Sequence, residues 1–221
     1  MSAKIYISPG HGGQYIGTSG NGFIEKHINL EMALLVQDFL RGYDCVPRLA
    51  REGDYTKLIS DRTLEANNWN ADLVVSLHFN GYSNTSARGF ETFVHPSISR
   101  YSKTDNIRNT IHDSIYSVLR GKTPNRGKKT ADFQILRETK MPAVLIEYSF
   151  LTNKEDADLI PGLIVSLAEA TAGGIAKALN LKKVTECQKC RELENKLNDE
   201  RIVRIALEKK LEQIQKIILG E

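Results

Sequence analysis

Three short apolar runs each end on a side chain that can ligate a metal or carry a proton. KIYISPGH (4–11) ends on His11, DLVVSLH (72–78) on His78 and PAVLIE (142–147) on Glu147. In parallel α/β sheets, ligands collect at the carboxyl ends of strands, where a rigid strand can hold such a group in place. A fourth candidate, Glu25, stands in GFIEKHINLEMALL (22–35), just before or in the first turn of a helix. Two imidazoles and one carboxylate make up the three-ligand set of catalytic zinc, with the fourth position left for water or substrate. A remaining carboxylate then suits general acid–base work. Each residue alone has an ordinary explanation: a hydrogen-bonded strand-end histidine, or a glutamate favoured at a helix N-terminus. Glu147, directly behind apolar residues, is costly to bury without a partner or a task. The four together outweigh the four separate explanations.

The opening loop SPGHGGQYIG (8–17) is not a phosphate cradle. Tyr15 stands where a G-x-G-x-x-G motif needs glycine, and no G-K-[ST] follows. Its glycines are better explained by space cleared around His11 for a metal and a bulky substrate.

The elements that would position these residues follow from periodicity. Strands are expected at 4–8, 45–50, 72–78, 89–95 and 142–149. DLVVSL and AVLI read as central strands covered on both faces. Apolar residues recur at spacings of three and four through Ile28–Leu40, Ile107–Leu119 and Leu163–Leu179. Alternating strands and helices predict an α/β fold, a twisted and mostly parallel sheet flanked by helices. From residue 181 the composition changes to a segment with no proline and 18 charged residues. Cys190, Leu193, Leu197, Leu207, Leu211, Ile214 and Ile218 fit a heptad seam that Glu200 and Arg204 interrupt. The expected division is a domain over 1–180 and an amphipathic, coiled-coil-like helix over 181–221, either docked on the domain or forming a homodimer.

Composition excludes several classes. With 30 basic and 27 acidic side chains in 221 residues, the net charge of +3 lacks the basic excess of a nucleic-acid binder. Three cysteines do not make a disulfide framework. The pair Cys187 and Cys190 reads as a reduced pair in a helix. No apolar run of roughly 18 residues suggests a membrane span. The N-terminus lacks the basic and apolar regions of a signal peptide, so the expectation is a chain that is cytoplasmic until released.

Five segments, in order, carry a resemblance: SPGHGG, GFIEKHINLEMA, LAREGDYTKLISDRTLEANNWNADLVVSLHFN, GFETFV and RETKMPAVLIEYSFLTNKEDADLI. Over residues 3–179 the chain resembles the zinc-dependent N-acetylmuramoyl-L-alanine amidases, the peptidoglycan-cleaving autolysins and phage endolysins. The resemblance implies zinc (Zn2+) held by His11, Glu25 and His78, with Glu147 as the catalytic glutamate. It implies hydrolysis of the amide between the lactyl group of N-acetylmuramic acid and L-alanine of the stem peptide, by a water activated at the metal. For that, His78 and Glu147 must end adjacent strands. Alternatives are a zinc peptidase cutting within the stem peptide and a non-catalytic wall-binding protein.

The sequence departs from the family pattern at Phe79 and Ser149, and Phe79 with Tyr148 is expected to reshape the substrate groove. Arg51 and Arg62 read first as salt-bridge partners of Asp54 and Asp61, with orientation of Glu147 or substrate contact as the alternative. His27 is expected to be exposed or to lie just behind the ligands. His95 and His112 are assigned to surface or packing.

Overall fold

The computed structural model describes residues 2–184 and 188–219, with side chains for only part of the last helix. Cys187 and the side chain of Cys190 lie outside the described residues. Contacts divide the chain into two compact units, Met1–Lys183 and Val184–Glu221.

The first unit is built on a six-stranded sheet. Its strands are β1 (Ala3–Pro9), β4 (Cys45–Leu49), β5 (Leu73–Asn80), β6 (Phe90–Val94), β7 (Asn125–Thr130) and β8 (Ala143–Phe150). They lie in the order β4-β1-β5-β8-β6-β7. All neighbours are parallel except β6 and β8, which run antiparallel. The central strands β1, β5 and β8 carry the longest buried apolar runs, as strands covered on both faces require. A two-stranded hairpin, β2 (Ser19–Gly20) and β3 (Phe23–Ile24), leads into the first helix.

Helices α1 (Glu25–Arg41), α3 (Lys103–Leu119) and α5 (Lys154–Leu179) match the three periodic segments. Ser102 and Asn153 cap α3 and α5, each side-chain oxygen accepting from the backbone N–H three residues on. Pro161 lies in α5 about two turns after that capped start. Helices α2 (Ile59–Asn68) and α4 (Gln134–Arg137) and strand β7 were not expected from periodicity. The first and last are polar: α2 buries only Arg62, Thr63 and Ala66, and β7 is an edge strand reading NRGKKT.

One expectation needs correction. By length and composition α5 is apolar enough to cross a membrane, although half of that apolar window is buried within the protein. Its leucines, isoleucines and valine are interspersed with alanine, glycine and small polar residues, which hides it from a search for continuous large apolar residues. Its Ala168, Ala172 and Ile175 are core residues, and its Thr171 pairs with the Tyr148 hydroxyl at 2.8 Å.

Residues 182–183 close the first unit: Asp44 N–H donates to the Lys182 carbonyl, and Tyr43 bridges Lys183. The second unit carries α6 (Gln188–Leu219), along which Leu197, Val203, Leu207, Leu211 and Ile214 are exposed.

Candidate active site

The sheet register assembles the site. On β5 and β8, His78 pairs with Glu147, so both side chains leave the same face of adjacent strands. β1 lies on the other side of β5, and beyond its end the chain turns at Gly10 to present His11. The hairpin β2–β3 then delivers Glu25 as the first residue of α1.

The structure brings His11, Glu25 and His78 together, one ligand atom of each lying within 4.8 Å of the others. His11 Nε2 is 3.1 Å from Glu25 Oε2, and His78 Nδ1 is 2.9 Å from Glu25 Oε1. The two rings stand nearly perpendicular, 5.3 Å between centroids. Thr18 N–H and the Asn29 side-chain amide also donate to Glu25. Burial alone would push the Glu25 carboxyl up. Hydrogen bonds from His11 and His78, with their charge, outweigh it and hold the carboxyl below the usual range. A buried carboxylate at 4 % exposure facing two imidazole nitrogens has the donor set, charge and spacing that zinc requires.

Glu147 is different. Its side chain keeps some exposure, but Oε2 is shielded from solvent and has no hydrogen-bond partner among the described residues. Burial, then the charges of Glu25 and Glu91, push its carboxyl well above the ordinary value. An orphaned acidic oxygen beside a ligand cluster suits a group that takes and returns a proton.

The glycines of the first loop are explained by this crowding. A Cβ on Gly10 would lie 2.5 Å from His78 Nδ1 and 2.7 Å from Asn29 Nδ2. One on Gly17, whose φ is +70°, would strike the Glu25 carboxylate and come within 2.6 Å of His11 Cδ2. Beside the ligands a cavity of about 380 Å³ opens, its lining including Tyr15, Lys57, Leu58, Ile59, Gln134 and Ile135.

Arg51 and Arg62 correct the salt-bridge expectation. Arg51, 0 % exposed, donates through Nε to the His11 carbonyl at 2.8 Å and through Nη2 to those of Gly10 and Lys26. Arg62 donates to the same His11 carbonyl at 2.6 Å, and also to Pro9 and Ser8. These guanidiniums satisfy the carbonyls of a loop that holds His11 at φ +59°. Asp54 fastens the next turn, accepting from Gly13 N–H and Lys26 Nζ at 2.7 Å each, with His27 Nε2 at 3.5 Å. His27 is therefore buried behind the ligand loop. His112 is buried too, between Thr92 and Asn125, whereas His95 is partly exposed beside Asp132. Phe79 and Tyr148 do not shape the groove: both are fully buried, with ring centroids 5.3 Å apart, pointing to the face opposite His78 and Glu147.

Sequence reasoning missed Asn29 and Glu91. Asn29 lies one turn along α1 from Glu25, a spacing that could have exposed it. Glu91, in GFETFV, is 4 % exposed on β6, the strand between β8 and the edge strand β7.

Residues 5–177 match the N-acetylmuramoyl-L-alanine amidase family. The chain belongs to this family. Amidase CwlM of Bacillus licheniformis is 40% identical over 184 residues, covering 81% of this chain and 70% of CwlM. The endolysin of Bacillus phage SPP1 is 38% identical, covering 83% of this chain and 68% of the endolysin. Among solved structures, an N-acetylmuramoyl-L-alanine amidase of Clostridium difficile 630 is 31% identical with a TM-score of 0.76, covering 81% of this chain and 97% of that one. The amidase fold thus spans the six-stranded sheet and its flanking helices.

Proposed function

We propose that this amidase hydrolyses the amide between the lactyl group of N-acetylmuramic acid and L-alanine in bacterial peptidoglycan, with zinc held by His11, Glu25 and His78. The observation that carries the reading is the juxtaposition of that ligand cluster with Glu147 across one strand pairing. When bound, zinc supplies a Lewis acid that polarises the amide carbonyl. Glu147 addresses the poor leaving group: its carboxylate takes a proton from the attacking water and returns it to the departing alanine nitrogen. Its strand fixes the carboxyl, and Asn29, Arg51 and Arg62 keep the neighbouring loop and helix start from drifting. The cavity beside His11 and His78, with Leu58, Ile59 and Ile135 on its wall, receives the apolar part of the substrate.

In a cell this chemistry belongs to an endolysin or autolysin, made in the cytoplasm and acting on the wall once released. The exposed stripe Leu197, Val203, Leu207, Leu211 and Ile214 on α6 favours a homodimer through that helix. The reading is tested by mass spectrometry of digested sacculi. New N-terminal alanine with intact lactyl-glycan is the expected product, and new termini inside the stem peptide contradict it. A chelator abolishes the reaction and added zinc restores it.

A further inference from the structure

The face that carries the ligands continues past Glu147. Glu91 on β6 pairs with Glu147 on β8, which pairs with His78 on β5, so the three form one row across adjacent strands. Beyond Glu91 lies β7, where Lys129 pairs with Phe93 and therefore shares the face of Glu91. Arg126 is the extra residue at a register shift between β6 and β7, and such a bulge re-aims a side chain. Both cations reach the buried Glu91: Arg126 Nε at 2.9 Å and Lys129 Nζ in close contact. Asn80, from β5, donates to its other oxygen at 2.8 Å.

One carboxylate thus anchors two cations and leaves a surplus positive charge. Neither cation is used up. Arg126 spends Nε on Glu91 and Nη1 on the Arg88 carbonyl, and its Nη2 makes no hydrogen bond among the described residues. Its guanidinium is steadied over the Phe150 ring at 4.8 Å. Lys129 has one bonded partner for three donors. Their side chains are 35 % and 38 % exposed, so a ligand can reach donors whose positions the protein has fixed. With strands about 5 Å apart, the cations stand one to two strand spacings from Glu147. That is about the reach from an amide to an acidic group on the following residue of an extended peptide, at roughly 3.4 Å per residue.

We propose that Arg126 and Lys129, held by Glu91, form a carboxylate-binding subsite that selects substrates with a free carboxylate one residue beyond the scissile amide, on its peptide side. The inference rests on the amidase reading and deepens it. Arg126 and Lys129 are specificity determinants here. Glu91 is a positioning residue, because it acts through them.

The test uses two muropeptides that differ only in a carboxylate or a carboxamide on the residue following alanine. The full-length parent, Arg126→Gln, Lys129→Gln and a control, Lys128→Gln, are compared. Lys128 is on the same strand but pairs with Asp113 on the other face. The parent prefers the carboxylate by about tenfold in kcat/KM, as expected of a charge-assisted contact. Arg126→Gln and Lys129→Gln each lose most of that preference through KM, while zinc content and turnover of the carboxamide stay at parental values. Lys128→Gln keeps the preference. A parent without preference overturns the subsite, as do variants that discriminate like the parent or lose both substrates equally through kcat. Should the parent cleave neither muropeptide, the amidase reading fails. Calorimetric titration with the same pair still reads the subsite, and equal affinities overturn it.

Discussion

Arg51 and Arg62 donate to a single acceptor, the backbone carbonyl of His11, from two different segments of the chain. Together they make the left-handed turn at His11 a fixed feature, and the imidazole inherits that order. Arg62→Lys removes the fork while keeping the charge, so loop carbonyls lose donors. Zinc affinity is expected to fall by roughly 10- to 100-fold, the usual effect of removing a group that orients a ligand. Competition with a chelating dye measures this. Unchanged affinity would show that the loop holds His11 without the arginine.

Gly10 tests the crowding argument. Gly10→Ala places a methyl against the His78 ring and the Asn29 amide. The strand end has little room to shift, because Gly10 N–H donates to Leu77 O. Zinc binding is expected to weaken by more than about tenfold, with a stability loss of roughly 1–3 kcal/mol from overpacking. Circular dichroism melts beside metal titration separate the two. A variant that binds zinc like the parent would refute the crowding.

His112 makes stability depend on pH. It is buried with Nδ1 2.9 Å from Thr92 Oγ1 and Nε2 3.1 Å from Asn125 Oδ1, an arrangement that suits the neutral ring. Burial, then the charge of Lys128, push it down to about 4 from 6.5. The unfolded chain therefore binds the proton first as pH falls. Stability from this residue is complete above pH 6.5 and is lost progressively as pH drops toward 4, by about 3 kcal/mol in all. Urea denaturation at pH 7, 5.5 and 4.5 should show that slope, and His112→Gln should flatten it. Identical slopes would contradict the assignment.

How much of this was legible beforehand follows from what each residue does. The core strands were legible because they are apolar runs, and the ligands because each ends such a run or starts a helix. α2 and β7 were not, because one is a polar helix and the other a polar edge strand that takes its place through pairing alone. Arg51 and Arg62 looked like partners for nearby aspartates, since carbonyl acceptors 40 and 51 residues away leave no trace in local sequence. Phe79 and Tyr148 were misread for a similar reason. Strand alternation turns each residue away from its functional neighbour, and only the register shows which face holds the site.

The boundary near residue 181 has a structural test. Residues 182–183 are tied to Tyr43 and Asp44, so removal of 184–221 leaves those bonds intact. The truncated chain is expected to melt within a few degrees of the parent and to run as a monomer in size-exclusion chromatography with light scattering. Unfolding on truncation would make the helix part of the core.

The most direct measurement is zinc content and sacculus hydrolysis on the same preparations of parent, His11→Ala, His78→Ala and Glu147→Gln. One zinc per parent chain is expected, with loss of metal in both histidine variants, and full metal in Glu147→Gln with turnover reduced by about 10²–10⁴-fold. Histidine variants that hold zinc as tightly as the parent, or a Glu147→Gln enzyme within a few-fold of parental turnover, would contradict these assignments.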